Sequence, residues 1–192
     1  MMLERGGVER ALGNHRPKAL ADETLRPAAV LVFLFAKNGE DHLLFTRRTE
    51  HLPHHKGEIS FPGGGQDPED EGPLGAALRE SEEEMGISPA DVTVLGRLDD
   101  VYSIHGYRVT PFVAAIPYPY PFLVNRHEIA DVLELPLQAF LDPAVYRQED
   151  WSFKGRTRPV RFYRVQGEEV WGMTAEILHQ FLSLVAPLAG RA

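Results

Sequence analysis

Four glutamates lie close together in the stretch from Arg79 to Glu84. On a helical wheel, at about 100° per residue, Glu80, Glu83 and Glu84 fall on one face. Glu82 projects elsewhere and is expected to be exposed. Like charges four residues apart repel each other, and the macrodipole disfavours negative charge towards the C-terminal end of a helix. A divalent cation would offset both effects, because Mg²⁺ and Mn²⁺ prefer carboxylate oxygens. The alternative is a solvated acidic face, which a charge run alone would favour.

A run of three glycines, from Gly63 to Gly65, precedes the glutamates and predicts a tight, permissive turn. Because glycine lets a backbone approach a ligand closely, Gly63 and Gly64 are candidate substrate contacts, and the Gly64 carbonyl is a candidate metal ligand. The alternative is a plain turn. Arg79 could pair with Glu71 across the loop and brace the carboxylates, as residues behind metal ligands often do.

The stretches around the glutamates predict the elements that would position them. An apolar run at residues 28–36 predicts a buried strand, the Asn38-Gly39 pair predicts a turn, and residues 42–47 predict the strand that completes a β-hairpin. Residues 73–86 predict the helix that carries the glutamates, with a proline in its first turn and a glycine at its end. The core side of this helix is expected to comprise Leu74, Ala77, Leu78, Ser81 and Met85.

Later stretches complete the set of elements. Further strands are predicted at residues 91–98, 108–116 and 159–165, and a last helix at residues 175–186 with Thr174 as its N-cap. Strands outnumber helices and mix with them, so we expect an α/β fold in which helices pack on a mixed sheet.

The length of 192 residues suits one domain. We expect residues 28–192 to form that domain. Residues 1–27 are expected to be an N-terminal extension, able to include a short helix, packed on the core.

Composition and charge narrow the classes of function. The formal net charge of −8 disfavours a nucleic-acid partner, since such proteins need a basic surface. The absence of cysteine excludes a disulfide scaffold, a thiolate zinc site and a cysteine nucleophile. The start of the chain does not resemble a signal peptide, and no segment approaches about 20 apolar residues. We therefore expect a cytoplasmic protein with no membrane partner.

The glutamates belong to a longer pattern. Gly65, then five residues, Glu71, then seven residues and the stretch from Arg79 to Ile87 resemble the Nudix box, Gly-x5-Glu-x7-Arg-Glu-U-x-Glu-Glu-x-Gly-U, where U is a bulky aliphatic residue. Every fixed position matches, and the one departure is Ser81, where the family has an aliphatic residue. The resemblance implies the Nudix fold, an α/β/α sandwich with a mixed β-sheet. It also implies metal-dependent hydrolysis, with Mg²⁺ or Mn²⁺, of a diphosphate linkage in a nucleotide-containing small molecule.

A second resemblance lies ahead of the box. Residues 43–64 are similar to the signature of the coenzyme A pyrophosphatase branch, roughly Leu-Leu-Thr-x-Arg-Ser/Ala-x3-Arg-x3-Gly-x3-Phe-Pro-Gly-Gly. Thr49 stands for the small Ser/Ala, and Pro53 stands where the second arginine belongs, a charge that Lys56 could replace. Two later stretches, residues 102–111 and 171–175, also resemble this branch.

The second resemblance implies that the substrate is coenzyme A or a derivative, which would give 4′-phosphopantetheine and adenosine 3′,5′-bisphosphate. Phosphate recognition needs cations near the acidic metal site, and Arg47, Arg48 and Lys56 are predicted to cluster there. A water would attack one phosphorus after losing a proton to a carboxylate. That carboxylate is a box glutamate or a later acid, for which Glu128 is the candidate; an ordinary helix-start acid is the alternative for Glu128. The candidate catalytic residues are Arg79, Glu80, Glu83, Glu84 and Glu128, and the candidate metal ligands are Glu80, Glu83, Glu84 and Gly64.

Other functions stay open at this point. A Nudix enzyme could act on ADP-ribose, NADH or a dinucleoside polyphosphate, and a catalytically inactive module could sense a nucleotide. An RNA-decapping enzyme fits the acidic balance poorly. His51, His54 and His55 could form a zinc site but are better explained as loop residues. The oligomeric state is not predicted.

Overall fold

The central strand of the structure is β1 (Arg26–Lys37), which contains the predicted apolar run. The structure is a computed structural model that describes residues 2–49, 57–153 and 155–189. The alternate side chains of β1 enter two different hydrophobic cores on the two faces of the sheet. Residues such as Val30 and Val32 face one core, and Leu31 and Phe33 face the other. Because both faces are covered, the strand is continuously apolar.

The predicted hairpin follows β1. Asn38 and Gly39 have positive φ angles of 53° and 78°, as a tight two-residue hairpin turn requires. Strand β2 (Glu40–Arg48) then pairs antiparallel with β1, and Leu34 lies opposite Leu43. The prediction of this hairpin is confirmed.

Within the described residues, eight strands form one mixed sheet: β1, β2, β3 (Ile59–Ser60), β4 (Gly63–Gly65), β5 (Thr93–Arg97), β6 (Val101–Ser103), β7 (Tyr107–Ala115) and β8 (Ile129–Pro136). Their order is β3-β2-β1-β7-β5, while β4 pairs with β1, β6 with β7 and β8 with β2. The β1–β7 pair is parallel and the other pairs of this sheet are antiparallel.

Helices cover both faces of the sheet. The helices are α1 (Arg5–Asn14), α2 (Gly72–Met85), α3 (Leu137–Phe140) and α4 (Gly172–Ala189). Helix α2 packs on the face of β1 that carries Leu31, and α1 and α4 contribute to the core on the opposite face. A second, three-stranded sheet comprises β9 (Tyr146–Phe153), β10 (Arg156–Val165) and β11 (Glu168–Trp171). The predicted α/β/α sandwich with a mixed sheet is therefore confirmed.

Two local predictions are corrected. The glycine run is not the predicted tight turn: Gly63 to Gly65 form β4, which pairs antiparallel with β1. Thr174 lies inside α4 and is not its N-cap, because the helix begins at Gly172, directly after β11 ends.

The segment before β1 is tied to the core from Leu3 onwards. Leu3, Val8 and Leu12 are buried in the core on the α4 side. His15 Nε2 lies 2.8 Å from an oxygen of Asp99, and the Leu20 N–H donates to Asp100 at 3.0 Å. Among the described residues, no helix is long and apolar enough to cross a membrane.

Candidate active site

Helix α2 presents its glutamates from a fixed orientation. Gly86 ends the helix in the left-handed conformation, with φ 68°. Ala77, Ser81 and Met85 are buried against the core, as the wheel predicts, and Glu82 is exposed. The Ser81 hydroxyl donates to the Ala77 carbonyl at 2.7 Å, so the polar side chain is satisfied where the Nudix box has an aliphatic residue.

The Glu84 carboxylate is the most deeply buried of the box carboxylates, with a side chain only 5% exposed. It accepts a hydrogen bond from the Gly63 N–H at 3.3 Å, and Arg48 Nη1 lies 3.8 Å from its other oxygen. Burial raises the pKa of Glu84 to about 8, because these two partners only partly offset the loss of water. The site therefore holds a buried carboxylate with little positive charge beside it.

The Glu80 carboxylate lies directly over the backbone of Gly64. A Cβ atom at position 64 would lie only 2.4 Å from the Glu80 carboxyl carbon, so a side chain there would displace Glu80. A Cβ atom at Gly63 would lie 2.3 Å from the Ala29 carbonyl of β1. Burial raises the pKa of Glu80 as well, and the hydrogen bond from Arg79 opposes that rise. Glycine at position 64 thus allows the Glu80 carboxylate to contact the backbone of β4.

Glu83 is placed differently from its two neighbours. Its side chain is 58% exposed, and Arg79 Nη1 donates to it at 3.3 Å. Within the described parts of the chain, no group of three acidic or imidazole side chains is close enough to form a complete metal site. Glu80 and Glu84 lie beside β4, whereas Glu83 lies at the solvent-exposed rim of the site. The helix face that the wheel assigns to these three glutamates is therefore buried at Glu84 and exposed at Glu83. The metal-ligand assignment stays a prediction.

Arg79 organises the loop before the helix, but not through the predicted partner. Its guanidinium makes two parallel bonds to Asp70, at 2.9 and 3.0 Å, rather than to Glu71. It also donates to the Gly65 carbonyl at 3.0 Å and to Glu80 at 3.1 Å. The prediction of a Glu71 pair is corrected to Asp70, whose carboxylate turns into the loop and also accepts from a backbone N–H at 2.7 Å. Sequence spacing did not single out Asp70, because adjacent acids differ only in direction.

Glu128 is brought to the box glutamates from a distant part of the chain. The Asn125 N–H donates to the Glu84 carbonyl at 2.9 Å, which docks this loop on the end of α2. The Asn125 side chain donates to Glu128 at 3.1 Å and so orients it. The negative charge of Glu128 raises the pKa of both Glu80 and Glu84, so the three carboxylates share one electrostatic environment. Glu128 lies in a turn before β8, not at a helix start, and Asn125 was missed by the sequence analysis.

The predicted cluster of cations is divided by the sheet. Arg48 faces α2 and Glu84, but Arg47 pairs with Glu168 of the second sheet and with Asp131 at 3.3 Å. Successive side chains of a strand point to opposite faces, which is why the two arginines separate. Lys56, Pro53 and the predicted alternative zinc ligands His51, His54 and His55 lie outside the described residues.

The arrangement agrees with the similarity of this chain to known proteins. A NUDIX domain model matches residues 25–151. A protein of Photorhabdus laumondii, described as an uncharacterized Nudix hydrolase, NudL, is 41% identical over 169 residues, which cover 88% of this chain and 89% of the relative. The chain belongs to the Nudix family. A NudL protein of Yersinia pestis is 39% identical over 163 residues, covering 85% of this chain and 81% of the relative. Hydrolase activity is thus the family-level function of this Nudix protein.

Solved structures show the same fold. A MutT/nudix family protein from Enterococcus faecalis superposes with a TM-score of 0.56 at 13% identity, covering 91% of this chain and 66% of that protein. The binary complex of an Ap4A hydrolase from C. elegans gives a TM-score of 0.51 at 23% identity, covering 58% of this chain and 80% of that protein. At these identities the likeness concerns the fold of this Nudix hydrolase and not its substrate.

Proposed function

We propose that this Nudix hydrolase cleaves the diphosphate bond of coenzyme A or its derivatives, with Mg²⁺ or Mn²⁺, to give 4′-phosphopantetheine and adenosine 3′,5′-bisphosphate. The observation that carries the proposal is a pair of carboxylates beside the glycine strand β4: Glu84, which is buried and lies next to Arg48, and Glu80, which is half-buried. Such a site suits a substrate that is anionic and arrives with cations.

The residues present fit a divalent cation. Burial raises the pKa of Glu80 and Glu84. Each carboxylate would be stabilised in its ionised form by a cation, and hard oxygen ligands are those that Mg²⁺ and Mn²⁺ select. Glu80, Glu84 and the Gly64 carbonyl would hold the ion, and Glu83 at the rim would add a ligand from the solvent side. When bound, the ion supplies charge neutralisation for the diphosphate and for the transition state.

The side chains of this chain divide the remaining work. Arg48 binds a phosphate oxygen of the substrate, since its guanidinium already lies beside Glu84. Arg79 fixes Glu80 through a hydrogen bond of 3.1 Å, and Asp70 fixes Arg79. Glu128, oriented by Asn125, accepts the proton of the attacking water. The water then forms a bond to one phosphorus as the bond to the bridging oxygen breaks.

Coenzyme A is favoured over other diphosphates by the segment ahead of the box. The signature of the coenzyme A branch includes Thr46 and Arg48, and both side chains belong to the α2 side of β2. The Thr46 hydroxyl donates to the Ser60 carbonyl at 3.3 Å, which ties β2 to the strand that leads into the glycines. The signature residues thereby support the position of Arg48 next to Glu84.

A substrate panel tests this proposal. The protein is incubated with Mg²⁺ or Mn²⁺ and with coenzyme A, ADP-ribose, NADH or diadenosine polyphosphates, and the products are separated by chromatography. We expect coenzyme A to give the highest kcat/KM. A higher kcat/KM for ADP-ribose, NADH or a diadenosine polyphosphate would overturn the substrate assignment, and no hydrolysis of any compound would leave a nucleotide-sensing module.

A pair of variants tests the metal assignment. Glu83→Gln should lower turnover by orders of magnitude while the protein stays folded. Glu82→Gln is the matched control, because Glu82 and Glu83 are adjacent and both exposed. Near wild-type turnover in Glu83→Gln would contradict its role as a metal ligand.

A further inference from the structure

A cavity of about 480 Å³ lies beside the N-terminal extension, between residues 20–25 and the strands β6 and β10. It is lined by two leucines, two polar residues, an aromatic ring and a cation: Leu20, Leu25, Asp22, Thr24, Tyr102 and Arg158. The aromatic ring and the cation face each other, since the Arg158 guanidinium carbon lies 5.1 Å from the centre of the Tyr102 ring. The cavity therefore combines a stacking surface with positive charge.

Arg108 lies beside two of the lining residues and brings a second cation next to the cavity. It lies beside Tyr102 in the sheet register, and its Nη1 donates to the Leu20 carbonyl at 3.2 Å. Neither Arg108 nor Arg158 has a carboxylate partner among the described residues, although the protein carries a formal net charge of −8. Both guanidinium groups keep donors for a ligand, and a phosphate is the anion that arginine binds best.

The cavity and the catalytic carboxylates lie on the same face of the sheet. Gly64 pairs with Ala29, which faces the core under α2. Pro27 lies two residues earlier on that face, Arg108 is in register with Pro27, and Tyr102 is in register with Arg108. From strand spacings, the Gly64 and Arg108 α-carbons are roughly 12 Å apart. That separation suits a nucleoside whose diphosphate is held at Gly64.

We propose that this cavity binds the nucleoside end of the substrate, with the base stacked on Tyr102 and a phosphate monoester of the ribose held by Arg108 and Arg158. The assignment rests on the proposed function, because it places the diphosphate at the box glutamates. In this assignment Arg108 and Arg158, and not the predicted cation Arg47, bind the ribose phosphate. Arg47 is already paired with Glu168 and Asp131.

The polar lining of the cavity suits a base. Among the described residues, the Asp22 carboxylate accepts from the Thr24 N–H at 3.0 Å and from the Thr24 hydroxyl at 2.6 Å, and both bonds go to Oδ1. Its other oxygen is left to accept from a donor of the ligand, such as the amino group of adenine. Leu20 and Leu25 supply the apolar walls against which a ring packs.

Two matched substrates test the assignment. Coenzyme A carries a 3′-phosphate on its ribose and dephospho-coenzyme A does not. Arg158→Ala should raise KM for coenzyme A about tenfold, as expected for a lost charge-assisted hydrogen bond, and should change KM for dephospho-coenzyme A less than about twofold, with kcat retained for both. Arg164→Ala is the control, because Arg164 is exposed on the same face of β10, roughly 20 Å away. Equal changes with both substrates, or no change, would overturn the proposal.

A binding measurement separates this proposal from the proposed function. Calorimetry compares adenosine 3′,5′-bisphosphate with adenosine 5′-monophosphate, and the wild type should prefer the former about tenfold, a preference lost in Arg158→Ala. Tyr102→Leu should weaken both ligands alike, and Tyr102→Phe should restore them. If coenzyme A is not hydrolysed but this Arg158-dependent preference is found, the cavity assignment stands and the function fails. Equal affinity of the wild type for the two nucleotides would overturn the cavity assignment.

Discussion

The substitution Glu84→Gln should remove a pH-dependent instability from the metal-free protein. Burial raises the pKa of Glu84 from its ordinary 4.5 to about 8. A carboxyl whose folded-state pKa is raised contributes stability that is fully present below its unfolded pKa and is lost as the pH rises through the folded pKa. Between these two pKa values the Glu84 carboxyl is ionised in the unfolded chain but mostly protonated in the folded protein. The free energy of unfolding therefore falls as the pH rises from about 4.5 to about 8. Glutamine keeps the shape and the acceptor for the Gly63 N–H but cannot ionise.

The magnitude follows from the two pKa values. Each tenfold difference in proton affinity corresponds to about 1.4 kcal/mol, so the full effect of Glu84 is at most roughly 5 kcal/mol. Of this, roughly 3.5 kcal/mol of unfolding free energy should be lost between about pH 5 and about pH 8. Asp41 also has a raised pKa, but it titrates in both proteins and cancels in the difference.

Urea unfolding with a chelator present, at several pH values, measures this difference in the free energy of unfolding. The free energy of unfolding of the wild type should fall relative to that of Glu84→Gln as the pH rises. Glu82→Gln should show the same pH dependence as the wild type. Added Mg²⁺ should restore the stability of the wild type at about pH 8, because metal and proton compete for the same carboxylate. It should have little effect on the stability of Glu84→Gln. A constant difference between wild type and Glu84→Gln at all pH values would refute this reasoning.

Three further substitutions test the parts of the site. Asp70→Asn should lower kcat ~10- to 100-fold with KM little changed, because Arg79 loses its two-bond partner, and Glu71→Gln should have a smaller effect; steady-state kinetics that rank the two the other way would contradict the geometry. Gly64→Ala places a methyl group 2.4 Å from the Glu80 carboxyl carbon and should weaken Mg²⁺ binding in calorimetry while the protein stays folded; unchanged affinity would argue against the Gly64 contact. Glu128→Gln should lower kcat ~100-fold with KM little changed in steady-state kinetics, and near wild-type kcat would assign the base elsewhere.

Local signals in the sequence predicted the elements well. The Asn38-Gly39 turn, the strand after Arg26 and the helix that ends at Gly86 depend on residues close in sequence, and each is found where it was expected. Thr174 failed as an N-cap because the approach of β11 sets the start of α4, which the local composition does not show.

Contacts between distant segments were harder to predict. Whether Asp70 or Glu71 binds Arg79 depends on the path of the loop, and sequence spacing does not resolve adjacent residues of one type. Arg47 and Arg48 are neighbours in sequence, yet the alternation of a strand sends them to different partners. The proximity of Glu128 to Glu84 arises from a loop whose Asn125 binds the end of α2.

The most direct test of the central claim is the identity of the products formed from coenzyme A in ¹⁸O-labelled water with Mg²⁺. Mass spectrometry should detect 4′-phosphopantetheine and adenosine 3′,5′-bisphosphate in equal amounts, with one labelled oxygen on one of the two, and a chelator should stop the reaction. Absence of these products, or their formation in the presence of the chelator, would contradict metal-dependent diphosphate hydrolysis by the box glutamates.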